Sequence, residues 1–298
     1  MPSKPKAAVI SEAPKQAKPF LKWVGGKRQL IDELLKGLPE KISSYHEPFL
    51  GGGALFFELA AQKRFKKAYL SDLNPELINA YIVVQTKVEE LIKSLKKHVH
   101  SKEYYYRLRS VDPKTLDNVS RASRLIYLNK TCYNGLYRVN SKGQFNVPFG
   151  SYKNPKICDE DNLRLCAQIL KGVSIRRQSF DAVLRSAKLK DFIYFDPPYH
   201  PVSNTANFSA YEKSGFGEIE QRQLKDAFVE LDRKGCFVML SNSYSDFTLE
   251  LFKHYRMKKQ LQKVHAIRAV NSKSSARGAV KEIIVRNFEH REIIVRNY

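Results

Sequence analysis

The sequence predicts an α/β fold with a mainly parallel sheet and one inserted basic lobe, and three observations carry that reading. Short β-rich runs alternate with amphipathic helical stretches, as helices packed on a parallel sheet require. The alternation stops between about Lys102 and Asp159. The 298 residues also carry 52 Lys+Arg against 30 Asp+Glu, a formal charge of +22, and two acid-free stretches hold most of that surplus.

In chain order, residues 1–17 mix Pro, Ala and Lys without periodicity and read as a mobile basic arm, so the folded part begins near Lys18. A helix is predicted over 29–36. The run Glu47-Pro48-Phe49-Leu50-Gly51-Gly52-Gly53 is a glycine-rich turn leading from a strand into a helix over 54–62. A strand over 67–70 leads to Asp72, and Asn74-Pro75-Glu76 opens a helix over 75–97, with Asn as cap and Pro at the first helical position.

The lobe contains a helix over 121–129, and residues 118–158 hold seven Lys/Arg and no carboxylate, with Tyr, Asn and Gly interleaved. The α/β pattern then resumes with a helix over 162–170, strands over 173–175 and 192–195, a helix over 218–234 and a strand over 236–240. Residues 251–281 form the second acid-free stretch, with nine Lys/Arg. The tail repeats itself: KEIIVRNF at 281–288 returns as REIIVRNY at 291–298. The first copy reads as a strand and the second as a duplication, or the two pair as a hairpin.

The composition, 43% hydrophobic and 11% aromatic, is that of a globular chain rather than a disordered one. A basic surplus of this size calls for a polyanionic partner. No apolar run approaches membrane-spanning length and the N-terminus has no secretory pattern, so insertion and secretion are not expected. Cys132, Cys158, Cys166 and Cys236 lie far apart without a C-x-x-C pair, which suits neither zinc nor a disulfide scaffold and points to a reducing, cytoplasmic setting.

Asp196-Pro197-Pro198-Tyr199 follows the apolar run 192–195, at the carboxyl end of a buried strand, where α/β sheets place ligands. The two prolines stiffen the backbone and leave the Pro197 carbonyl without a sheet partner. A carboxylate beside a free carbonyl matches an amino group with two donors, and Tyr199 offers a face on which a planar base stacks. Such an amine is a poor nucleophile until both N–H groups are held and the developing positive charge is stabilised.

Asp72 lies 21 residues after Gly51, near the spacing at which an acidic residue takes ribose hydroxyls in nucleotide-binding folds. A nucleoside-type ligand is implied. Neither Gly51-Gly52-Gly53 nor Gly25-Gly26-Lys27 has P-loop spacing. Lys22-Trp23-Val24-Gly25-Gly26-Lys27 contains the one tryptophan of the chain, which reads either as core or as ligand-facing.

These residues, in this order, resemble the Dam-type, α-class DNA adenine-N6 methyltransferases. The likeness spans 18–288 and includes Ser71-Asp72-Leu73-Asn74, NKTCYNGLYR at 129–138, GQFNVPF at 143–149, Asn207-Phe208, and the closing Asn271-Ser272 and Arg277-Gly278. The resemblance implies a Rossmann-like S-adenosyl-L-methionine-dependent sheet with a mostly helical inserted DNA-recognition domain carrying a β-hairpin. It divides the chain into an arm (1–17), a catalytic domain (18–101 and 159–288), a target-recognition domain (102–158) and a tail (289–298).

Carried over position by position, the resemblance makes Asp196, Pro197 and Tyr199 the catalytic pocket for a flipped adenine, since a base inside a duplex is otherwise out of reach. It makes Trp23, Lys27, Phe49, Gly51, Gly53, Asp72, Phe180 and Asp196 the cofactor contacts. Ser179 stands before Phe180 where relatives often carry Asp. Tyr133 and Asn134 match the residues that wedge into the duplex, Arg138 the reader of a guanine, Leu136 and Pro148 apolar base contacts, and Lys22 a base contact made from the catalytic side.

The expected activity is methyl transfer to adenine N6 in double-stranded DNA, within GATC, by a monomer that needs neither a metal nor a covalent nucleophile. The setting implied is a bacterial or archaeal cytoplasm, or a virus-encoded enzyme. The rival readings are a cytosine-N4 methyltransferase, whose target amine has the same donor geometry, and a DNA-binding protein with this fold that lacks methyl transfer.

Overall fold

Parallel pairing puts the ends of five strands on one edge, and that edge organises the molecule. The computed structural model describes residues 16–23, 25, 27–39, 41–201, 216–258, 260–267 and 279–288. The strands are β1 (Tyr45–Glu47), β2 (Ala68–Asp72), β3 (Ser174–Arg177), β4 (Phe192–Phe195), β5 (Phe237–Ser243), β6 (Leu261–Ile267) and β7 (Ala279–Arg286). They form one seven-stranded sheet in the order β3-β2-β1-β4-β5-β7-β6. The first five run parallel, and β7 lies antiparallel between β5 and β6.

The mainly parallel sheet and the strand at KEIIVRNF are as expected, whereas β6 was not anticipated. Between β1 and β4 the strand order reverses direction, so the loops after these two strands diverge and open a crevice, the usual ligand position in such sheets. β4 is FIYF with every residue buried, as a central parallel strand covered on both faces must be.

The helices are α1 (Ile31–Leu35), α2 (Ala54–Ala61), α3 (Pro75–Thr86), α4 (Val88–Leu95), α5 (Lys102–Ser110), α6 (Asn118–Thr131), α7 (Glu160–Leu170), α8 (Val183–Ser186), α9 (Glu218–Arg233), α10 (Asp246–Leu251) and α11 (Lys253–Met257). Asn74 caps α3 as expected, its side-chain oxygen accepting from Glu76 N at 3.0 Å and Leu77 N at 3.1 Å. The helix expected over 75–97 is two: Lys87, at φ −141° and ψ 39°, separates α3 from α4. The apolar spacing runs through the break because a single residue leaves helical geometry, which periodicity does not register.

Two large apolar clusters cover the sheet, and a third, smaller one joins Tyr105, Tyr127, Leu128, Cys132, Phe145 and Val147. Helix α6 serves two of them: Leu125 and Ile126 face the main body, Tyr127 and Leu128 the small cluster. The four thiols are free, and burial pushes Cys132 and Cys236 up to about 11 and Cys166 up to about 12. The hairpin expected after α6 consists of two isolated antiparallel bridges, Cys132 with Phe149 and Val139 with Phe145, rather than a continuous ladder.

Residues 1–15, Val24, Gly26, Asn207-Phe208, Asn271-Ser272, Arg277-Gly278 and the second EIIVRN copy lie outside the described residues.

Candidate active site

The chain leaves β4 into Asp196-Pro197-Pro198-Tyr199, and hydrogen bonds pin this turn from both sides. Gln221, buried on α9, donates to the Pro198 carbonyl at 2.9 Å and accepts from Asn242 Nδ2 at 2.9 Å. Asn242 Oδ1 accepts from His200 N at 3.2 Å, and Ser243 Oγ donates to the His200 carbonyl at 2.6 Å. Among the described residues no donor occupies the Pro197 carbonyl.

The Lys27 ammonium stands 2.8 Å from Asp196 Oδ1, donates to the Gly25 carbonyl at 2.6 Å, and lies 4.6 Å from the centre of the Tyr199 ring. Tyr199 donates its hydroxyl to Glu282 Oε2 at 2.8 Å. Burial raises Asp196 above the ordinary aspartate range; the nearby Lys27 opposes this and the charge of Glu282 adds to it.

Beside this turn lies the glycine-rich one. Gly51 N donates to Asp72 Oδ2 at 3.1 Å and Asn74 N to Asp72 Oδ1 at 2.9 Å, so the 21-residue spacing becomes a direct contact. Burial pushes Asp72 up against these N–H groups. Gly51 and Gly53 have φ of +48° and +64°; a Cβ at Gly51 would lie 2.9 Å from Trp23 Cδ1, and one at Gly53 would lie 2.8 Å from the Tyr81 hydroxyl. Both positions are therefore closed to larger residues by conformation and by space.

Glu47, at the end of β1, accepts from the Tyr45 hydroxyl at 3.0 Å, and burial, with Asp196 and Asp72 nearby, holds it well above the usual carboxylate range. Phe49 stacks on Phe180 with centroids 5.5 Å apart, and both rings meet Phe195 and Phe216 edge-on.

Three groupings of the expected residues follow: Trp23 with Gly51 and Asp72, Phe49 with Phe180, and Lys27 with Asp196 and Tyr199. Trp23 packs on the Gly51 turn and stacks on Tyr137 at 5.0 Å, which joins that turn to the lobe.

The residues expected to face DNA lie on the lobe, except Lys22, which the lobe residue Asn129 holds. Tyr133 and Arg138 are exposed, as is Pro148, whose carbonyl accepts from Tyr133 N at 2.9 Å; Leu136 is half-buried. Asn134 adopts φ +55° in the turn Tyr133–Gly135. Arg138 Nε donates to Asn146 Oδ1 at 2.7 Å and its Nη2 to the Asn146 carbonyl at 3.4 Å. Lys22 Nζ reaches the Tyr152 hydroxyl at 3.3 Å, and its backbone is clamped by the fully buried Asn129, which also donates to the Gly135 carbonyl.

Sequence reasoning missed Glu282, Gln221, Asn242, Tyr137 and the clamp made by Asn129. Only Glu282 had a usable signal, a carboxylate opening the apolar run of KEIIVRNF. Among the described residues no helix is long and apolar enough to cross a membrane, and no group of three or more His, Cys, Asp or Glu could hold a metal ion.

The family model of the D12 class N6 adenine-specific DNA methyltransferases matches residues 23–270. The chain is 47% identical to the Type II methyltransferase M1.LlaDCHI of Lactococcus lactis subsp. cremoris, over 91% of this chain and 95% of that protein. It is 40% identical to the Type II methyltransferase M.MjaIII of Methanocaldococcus jannaschii, over 92% of this chain and 100% of that one. Identity to the DNA adenine methylase of Haemophilus influenzae is 34%, over 90% and 92%. With the matched residues spanning both turns of the crevice and the basic lobe, the chain belongs to the D12 class N6 adenine-specific DNA methyltransferases.

Proposed function

We propose that this adenine-N6 DNA methyltransferase uses S-adenosyl-L-methionine and acts within GATC in duplex DNA, with 102–158 as the part that reads the duplex. The observation that carries the reading is that Asp196-Pro197-Pro198-Tyr199 and the Gly51 turn held by Asp72 follow the adjacent parallel strands β4 and β1, at the reversal of strand order.

The residues fit the cofactor. Each Asp72 oxygen accepts one backbone N–H, and a carboxylate has further lone pairs for ribose hydroxyls. Asp72 and Asp196 both lie near Glu47, whose carboxyl burial holds well above the usual range. S-adenosyl-L-methionine, when bound, supplies an electrophilic methyl group on a sulfonium. Trp23, Phe49, Gly51, Gly53, Asp72 and Phe180 would hold it.

The Asp196 carboxylate and the Pro197 carbonyl accept from the two N–H groups of the target amine, favouring a pyramidal nitrogen and stabilising the positive charge that develops there. Tyr199 stacks on the flipped base. Lys27 now occupies the space between that carboxylate and that ring, so entry of the base displaces its ammonium. The proton leaves to solvent after transfer. Arg138 reads a guanine through O6 and N7, and the motif around it resembles that of GATC enzymes. The enzyme works as a monomer in the cytoplasm.

The test is transfer of labelled methyl to matched duplexes containing or lacking GATC, with nucleoside analysis of the product. N6-methyladenine only in the GATC duplex is expected. N6-methyladenine in both discards the target, N4-methylcytosine discards the amine assignment, and binding without transfer discards the reaction.

A further inference from the structure

Glu282 lies in β7, between β5 and β6, opposite Ser243 on one side and Val264 on the other. The next three residues, Ile283, Ile284 and Val285, are fully buried. Glu282 itself is half-buried, and among the described residues its carboxylate accepts from the Tyr199 hydroxyl at 2.8 Å. Pro197 and Pro198 stiffen the backbone that leads to Tyr199. Gln221 fixes the carbonyl just before Tyr199, while Asn242 and Ser243 fix the backbone just after it. With the main chain held, the ring retains only its side-chain rotations, and a bond at its far end fixes the direction of the ring axis.

We propose that Glu282 is a positioning residue for methyl transfer, acting through the Tyr199 hydroxyl to hold the ring against which the target base stacks. The inference rests on the function proposed above. β7 thus contributes to the catalytic pocket as well as to the sheet. Because Glu282 works as a hydrogen-bond acceptor, an amide at the same position replaces it and a methyl group does not.

The test is steady-state methylation of a matched duplex by the wild-type chain, Glu282→Gln, Glu282→Ala, Tyr199→Phe and the Glu282→Ala/Tyr199→Phe double variant. Glu282→Ala and Tyr199→Phe are each expected to lower kcat by about 10-fold to 100-fold, the range of a hydrogen bond to a charged group, with KM for S-adenosyl-L-methionine unchanged. Glu282→Gln is expected to stay within about 3-fold of wild type, and Glu282→Ala to add almost nothing once the hydroxyl is gone. Full additivity in the double variant, or loss in Glu282→Gln as large as in Glu282→Ala, overturns the proposal. If Glu282→Ala does not fold, Tyr199→Phe alone decides, and an unchanged kcat overturns it. A wild-type chain that transfers no methyl instead refutes the proposed function itself.

Discussion

The Lys27 ammonium, with 6% of its side chain exposed, lies 2.8 Å from Asp196 Oδ1 in the pocket assigned to the target amine. Removing the carboxylate therefore has two consequences. Asp196→Ala is expected to lower kcat by about 100-fold or more while duplex binding persists, by analogy with loss of one preorganised charge-stabilising group. It also strands a buried cation, at about 3 kcal/mol of stability. Methyl-transfer assays and urea denaturation check the two effects separately, and unchanged turnover would remove Asp196 from the mechanism.

Asn129 makes three hydrogen bonds from a fully buried position, to Lys22 N and O and to Gly135 O. Asn129→Ala leaves those backbone groups unpaired and is expected to cost about 3 kcal/mol. Denaturation midpoints measure it. Since the clamp joins Lys22 to the turn after α6, discrimination between matched and mismatched duplexes is expected to weaken as well.

Among the described residues the guanidinium of Arg138 bonds only to Asn146, on an exposed part of the lobe. Arg138→Ala is expected to weaken recognition by about 1–3 kcal/mol and to relax preference at one guanine, the usual worth of a bidentate base contact. Methylation of duplexes substituted one base pair at a time checks this. Equal weakening on every duplex would instead mark a phosphate contact.

His98 is held between the Tyr104 hydroxyl at 2.7 Å and Ser123 Oγ at 2.9 Å, and burial lowers its pKa from 6.5 to about 4. Because the folded value lies below the unfolded one, its contribution is complete above about 6.5 and is lost as pH falls toward 4. The wild-type denaturation midpoint is expected to fall over that window, and His98→Gln to flatten the fall. Parallel curves for the two proteins would assign the acid sensitivity elsewhere.

Legibility followed distance along the chain. Asp72 and Gly51 were readable as a pair because one strand-turn-helix-strand unit carries both, and the unit's geometry is local. The cap at Asn74 was equally readable, since the cap and the N–H groups it satisfies lie within three residues. Tyr199 and Glu282 stand 83 residues apart, and Trp23 meets Tyr137 from the other side of the basic lobe. No periodicity links such residues. The break at Lys87 was hidden for the opposite reason, because the helical spacing continues across it.

What the sequence determined by itself is the alternating α/β architecture, the glycine-rich and Asp-Pro-Pro-Tyr turns and the concentration of positive charge in the stretch between them. Apolar periodicity, proline and glycine placement and charge are properties of neighbouring residues, and they act before the chain is compact. Only the tertiary structure decided that β7 runs antiparallel and brings Glu282 to Tyr199, that Lys27 rests on Asp196, and that Trp23 joins the Gly51 turn to the lobe. Those contacts depend on which distant surfaces bury one another, and burial also raises the carboxyls of Glu47, Asp72 and Asp196 above their ordinary range.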